Sequence, residues 1–260
     1  MEEYEDRDGQ LSFLPISKNP DNMVVQANPL IQARQRLTLN EAKLIRIMIM
    51  QIINSDMEFN SYYMTPAEFA NLLQVKEVKN IHREAESLCS SIISKPLEMK
   101  AQDGSWSKYA WVSKCNYNSK LNRFELKLNP DLKPFLLNLA EKGYYTQYEL
   151  QYALSFNSCY GLRLFELLQA RIMSKTVPKQ GTYVELSLEE IKDACMLYNT
   201  DQKGNIVGEK YKNITNIKLK VLEAAIKDIQ EKTLYDISYD EIKKGRQIVG
   251  FRFFIKMSYN

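Results

Sequence analysis

Two periods of apolar and polar residues alternate along the chain, and the places where the period changes mark out its elements. From Asn40 the apolar residues Ala42, Leu44, Ile45, Ile47, Met48, Ile49, Ile52 and Ile53 cover nearly every side of a helix. This predicts a central core helix with Thr38 or Asn40 as its cap. Phe59 to Met64 predicts a short strand. Thr65-Pro66-Ala67-Glu68 then supplies an N-cap, a proline at the first helical position and a capping-box glutamate for a helix ending near Leu73. A third helix is expected from about Val78 to Ser94, with Ile81, Ala85, Leu88 and Ile92 inward and Lys79, Asn80, Arg83 and Glu84 outward, and Pro96 ends it. Strands follow at Leu97 to Ala101, Ser105 to Tyr117 and Leu121 to Leu128, separated by turns at Asp103-Gly104 and Asn118-Ser119. Three helices followed by a hairpin is the element order of a winged helix.

Asn129-Pro130 opens a further helix to about Glu141, which reads as a stiff spacer, and Gly143 breaks it. A domain boundary is placed there. It divides the chain into an aperiodic acidic lead-in expected to be disordered (1–22), a first domain (23–143) and a second (144–260). The second half repeats the first, with a core helix from about Leu150 to Met173, a strand at Thr182 to Leu186, and a helix capped by Ser187 with Glu190 three residues on. Aligning Met64-Thr65-Pro66-Ala67-Glu68-Phe69 with Leu186-Ser187-Leu188-Glu189-Glu190-Ile191 keeps the cap, the box glutamate and the following apolar residue in place. The expected fold is therefore α+β, with tandem winged-helix domains related by structural duplication. The main difference is a polar insertion at Asn199 to Asn213.

The last stretch carries the densest chemistry. From Thr215, read as an N-cap, the residues Ile217, Val221, Leu222, Ala225, Ile226 and Ile229 bury one helix face. Its leading end holds Lys210, Lys212, Lys218 and Lys220 with no acid among them, and Asn213 and Asn216 can both donate and accept hydrogen bonds. Tyr235, Ile237 and Tyr239 then alternate, Lys243-Lys244-Gly245-Arg246 turns, and Ile248 to Ile255 returns. Amides and cations at a helix start, beside a cation-tipped hairpin, suit a DNA groove and its flanking phosphates. For one helix alone, a solvated lysine face explains the pattern equally well. A second copy, with Lys79, Asn80 and Arg83 on its own outward face, favours DNA.

Composition narrows this further. At 260 residues, with 45% hydrophobic residues, 9 Gly and 8 Pro, the chain has enough apolar material for real cores. The net charge of +3 is small, but Met1 to Asp8 carries five acids against one arginine, so the remainder is more basic than the total. Cys89, Cys115, Cys159 and Cys195 are widely spaced with no C-x-x-C pair, which predicts reduced, mostly buried thiols. The longest apolar run, Leu44 to Ile53, is interrupted by Arg46 and Gln51, so no membrane anchor is expected. The single histidine, His82, cannot build a metal or catalytic cluster alone and reads as a surface residue or a phosphate contact. Gly204 to Lys210 lacks the spacing of a phosphate loop. Arg163 and Glu166, three apart on a helix, read as a structural ion pair. No enzyme, metal or cofactor is expected.

Three blocks also resemble a known family. Asn28-Pro29-Leu30-Ile31-Gln32-Ala33-Arg34, with Leu37-Thr38-Leu39-Asn40-Glu41-Ala42-Lys43-Leu44-Ile45, resembles the start of the initiator proteins of theta-replicating, iteron-containing plasmids. Tyr160-Gly161-Leu162-Arg163-Leu164-Phe165-Glu166-Leu167-Leu168 is similar to the helix that opens that family's second domain. Lys218 to Ala225, with Gly245-Arg246-Gln247-Ile248-Val249-Gly250-Phe251-Arg252-Phe253, looks like its closing recognition helix and glycine-arginine turn. The resemblance runs from about Met23 to Met257. It implies two winged helices that bind repeated double-stranded origin DNA as monomers, and a dimer that represses its own gene. It also implies contacts with host initiation and helicase-loading proteins in a bacterial cytoplasm. The alternative is a two-domain winged-helix transcriptional regulator with no initiator role. Where several relatives carry arginines in the recognition helix, this chain has Lys218-Leu219-Lys220, which shifts base readout toward Asn213 and Asn216 or elsewhere.

Overall fold

Thr38, not Asn40, starts the first core helix. Its hydroxyl accepts from the Glu41 amide at 3.4 Å while the Glu41 carboxylate accepts from the Thr38 amide at 2.7 Å. The computed structural model describes residues 23–258 apart from 54, 74–80, 101–102, 173–176 and 201–205. The acidic lead-in, and with it Lys79 and Asn80, lies outside the described residues. The first half opens with β1 (Met23–Ala27), α1 (Asn28–Gln32), β2 (Arg34–Gln35) and the core helix α2 (Leu39–Met50). Every residue of α2 from Glu41 to Met50 is buried, as its all-round apolar pattern requires.

Then come β3 (Tyr62–Met64), α3 (Pro66–Leu73), α4 (Ile81–Ser94), β4 (Leu97–Lys100), β5 (Trp106–Tyr109), β6 (Val112–Asn118) and β7 (Arg123–Leu128). The Thr65 box closes as expected, with the Glu68 amide 3.2 Å from the Thr65 hydroxyl. The single strand expected over 105–117 is two. Trp111 turns fully inward between them, so β5 pairs with β4 and β6 pairs with β7 in a separate sheet.

The linking stretch differs from expectation. In place of one stiff helix there is a 3-10 turn (Pro130–Leu132), then α5 (Lys133–Leu136) and α6 (Leu139–Lys142), with Asn138 between them at φ 54°. Pro134 cannot donate a helical amide and Asn tolerates the left-handed region, so the run breaks into single turns. β8 (Tyr145–Glu149) follows and pairs antiparallel with β1, Met23 opposite Glu149 and Ala27 opposite Tyr145.

The second core helix is also interrupted, into α7 (Leu150–Ser155) and α8 (Cys159–Arg171). Ser158 caps α8 through the Gly161 amide at 2.9 Å. After it come β9 (Thr182–Ser187), α9 (Leu188–Ala194), β10 (Tyr198–Thr200), β11 (Ile206–Glu209), α10 (Ile214–Ile217), a π-helical turn (Lys218–Leu222), α11 (Glu223–Lys232), β12 (Tyr235–Lys244) and β13 (Gln247–Met257). In the polar insertion β10 and β11 pair antiparallel, and the chain runs on from Glu209 to the Asn213 cap of α10.

The duplication is visible in the sheets. In the first half the order is β3-β7-β6 and in the second β9-β13-β12, so each pre-helix strand pairs with the second strand of the following hairpin. Both halves share one continuous core. The halves meet through the β1–β8 pair, and within the second half α11 packs on α8. The Asp228 carboxylate accepts from the Asn157 and Ser158 amides at 3.0–3.1 Å, and a Cβ on Gly161 would come within 2.5 Å of it.

Two of the four cysteines are not free thiols. Cys89 on α4 and Cys115 on β6 form a disulfide with Cα atoms 6.1 Å apart, while Cys159 and Cys195 are free. The pair lies far apart in sequence, and it meets because the hairpin folds back over α4.

Candidate nucleic-acid interface

The last helical stretch of the second half starts two residues earlier than its hydrophobic pattern suggests. Asn213, not Thr215, is the cap: its side-chain oxygen accepts from the Thr215 amide at 2.8 Å. Ile217, Val221, Leu222, Ala225, Ile226 and Ile229 are buried as the spacing predicts. In the π turn the Glu223 amide donates to the Lys218 carbonyl, five residues back instead of four. Thr215, Asn216, Leu219, Lys220 and Glu223 make the exposed face.

Beside this helix the β12–β13 hairpin rises to a tip at Gly245, whose φ of +62° suits a residue with no Cβ. Between them is a groove of about 590 Å³ lined by Leu188, Lys212, Asn213, Ile214, Arg246, Gln247 and Ile248. Lys212, Lys244 and Arg246 are exposed around it. Cations on both walls make it a place for a phosphate backbone.

The other cations are held more closely than their sequence suggests. Lys218 donates to Glu241 at 2.7 Å, and Lys243 reaches the other oxygen of the same carboxylate at 2.8 Å. The hydrogen bond to Glu241 raises the pKa of Lys218, and the two lysines lower that of Glu241. Lys210 donates to the Tyr160 hydroxyl at 2.6 Å, which raises its own pKa. It also sits over the Tyr160 and Tyr211 rings, and Lys220 lies 5.8 Å from the centre of the Tyr211 ring. The structure therefore brings Lys212, Asn213 and Arg246 to one groove, with Asn216 and Lys220 on the adjoining helix face. Lys218 and Lys243 instead join around Glu241.

The first half offers a sparser arrangement. Arg83 is exposed on α4, but Glu84 and Glu86 are exposed on the same helix. His82 packs edge-on against Tyr117 of β6 at 4.9 Å, and Arg123 of β7 stacks 4.4 Å from the Tyr63 ring. Glu241, Gln247 and Tyr211 are the site residues that sequence reasoning passed over. Basic runs draw attention to cations, while the partner that organises two of them sits on a strand 23 residues beyond Lys218. Among the described residues, no group of three or more His, Cys, Asp or Glu could hold a metal ion. None of the described helices is long and apolar enough to cross a membrane.

Residues 23–169 match the family described as Initiator Replication protein, WH1, and residues 203–255 match Initiator Rep protein, WH2. The chain belongs to the replication initiator family. It is 23% identical over 182 residues to a replication initiation protein of Escherichia coli, covering 68% of this chain and 55% of that protein. It is 28% identical over 148 residues to the PI protein of Escherichia coli, covering 55% of this chain and 46% of that protein. The chain thus spans about half the length of the curated relatives it matches. The crystal structure of a Pi initiator protein in complex with iteron DNA is similar over 93% of this chain and 100% of that one, with a TM-score of 0.73 and 19% identity. At that identity the likeness establishes the fold, and it agrees with two winged-helix domains in tandem.

Proposed function

We propose that this family member is a plasmid replication initiator that binds repeated double-stranded origin DNA through both winged helices, and that a dimeric form represses its own gene. The groove between the second recognition helix and its wing carries the reading, because Lys212 and Arg246 flank it while Asn216 and Lys220 project beside it. Support comes from the family membership and from a similar fold that was crystallised on iteron DNA. On this reading the chain divides into 23–143 and 144–260, the second part supplies most of the specific affinity, and Arg83, with Lys79 and Asn80, positions the first. Lys210, Lys212, Asn213, Asn216, Lys218, Lys220, Lys243, Lys244 and Arg246 make up the second contact surface, with Glu241 restraining Lys218 and Lys243. The reading includes host initiation and helicase-loading proteins as partners, a bacterial cytoplasm as the setting, and no catalytic step.

The test is hydroxyl-radical footprinting of the intact chain on one direct repeat from the DNA flanking its gene. Two protected patches about 10 base pairs apart are expected. Inserting five base pairs between them should lower affinity sharply, because half a turn moves one patch to the opposite face. Undiminished binding to that variant would rule out two-groove recognition. Protection of a single inverted repeat only would favour a transcriptional regulator.

A further inference from the structure

Leu219 occupies an unusual position on the recognition helix. Among the residues 214–232 it is the large apolar side chain that faces solvent, 58% exposed, while Ile217, Val221, Leu222, Ile226 and Ile229 are all buried. It lies inside the π turn, with Asn216 and Glu223 also exposed before and after it. The cations on either side are drawn away from it, Lys218 toward Glu241 on the wing and Lys220 toward the Tyr211 ring. Leu219 is therefore the apolar centre of the exposed face made with Thr215, Asn216, Lys220 and Glu223, on the helix whose first residues, Asn213 and Ile214, line the groove that holds Lys212 and Arg246. A duplex offers few matches for such a side chain. On the major-groove edges of the bases the apolar group is the thymine 5-methyl.

We propose that Leu219 reads the 5-methyl group of a thymine in the repeat. This rests on the reading that the chain binds repeated origin DNA through this helix. The contact adds sequence information without a hydrogen bond, at the place where a lysine pair alone would act mainly as charge.

The experiment replaces each thymine of one repeat in turn with deoxyuridine, which removes only the methyl, and measures binding by the full chain and by Leu219→Ala. For the unaltered chain, one or two replacements should weaken binding about three- to fivefold, the loss expected for one buried methyl-sized group. In Leu219→Ala the same replacements should have no effect, and the other thymines should be silent in both proteins. Because Leu219 is exposed, the variant should keep the thermal midpoint of the unaltered chain. Uniform tolerance of deoxyuridine, or a penalty that persists in Leu219→Ala, overturns the contact while leaving repeat binding intact. Failure of the unaltered chain to bind the repeat overturns both the contact and the functional reading beneath it.

Discussion

Arg46 of α2 and Glu166 of α8, 120 residues apart, meet in two hydrogen bonds of 2.9 and 2.8 Å with neither side chain exposed. Arg163 adds a third bond to the same carboxylate at 2.8 Å, the Tyr148 hydroxyl donates at 2.5 Å and Gln26 at 2.9 Å. Arg163 also donates to the Ile31 and Ala33 carbonyls, so one carboxylate gathers β1, α2, β8 and α8. Breaking a buried pair leaves an uncompensated charge, which costs far more than the intact pair contributes. Glu166→Gln should therefore lower unfolding free energy by about 3–5 kcal/mol in urea titration. The double change Arg46→Met with Glu166→Leu should cost less than Glu166→Gln alone, and the reverse order would contradict this account.

The same carboxylate sets an acid limit. Burial by itself would raise the Glu166 pKa, but Arg46 and Arg163 hold it at about 2, below the ordinary 4.5. In the interval between those values the unfolded chain binds more protons than the folded one. This contribution to stability is complete above about pH 4.5 and is lost as pH falls toward 2. Thermal midpoints across that range should fall more steeply for the unaltered chain than for Glu166→Gln. Parallel curves would mean another group governs acid unfolding.

Glu241 restrains two lysines at the candidate interface, so its removal should act on all DNA alike. Glu241→Gln should tighten binding to specific and scrambled duplexes and steepen the salt dependence. Lys244→Ala and Arg246→Ala should do the opposite, each lowering the salt slope by about one. Weaker binding by Glu241→Gln would show that the carboxylate positions Lys218 instead of holding it back.

The Cys89–Cys115 pair predicts a thiol count. Denatured without reductant, the oxidised chain should expose two reactive thiols, those of Cys159 and Cys195, and four after reduction. Closing a loop of sequence separation 26 stabilises by about 3.5 kcal/mol, so reduction should lower the thermal midpoint measurably. Four thiols before reduction would refute the pairing.

Local chemistry carried most of the fold. The caps at Thr38, Thr65 and Ser187 each satisfy donors within three residues, so the sequence exposes their positions directly. The repeated cap, strand and hairpin made the duplication readable for the same reason. Long-range effects were not readable. Trp111 splits a strand only because a core is there to receive it, and the Cys89–Cys115 bridge depends on a hairpin folding back over a helix. Arg163 and Glu166 announced their pairing by spacing, whereas Arg46 gave no local hint that it would complete it. At the interface the basic runs were plain, but their orientation depended on Glu241, which matters only when wing and helix come together, and on Tyr211, whose ring meets Lys220 only once the helix has formed.

The β1–β8 pairing has a consequence for how the chain is made. β1 leaves the ribosome before its partner at Tyr145–Glu149, which is translated on the order of ten seconds later. Val24, fully enclosed in the finished protein, has no strand beside it during that interval. β1 is thus among the last parts of the first half to close. A nascent chain stalled at Gly143 should be cut by protease within 23–27, and one stalled well past Glu149 should resist.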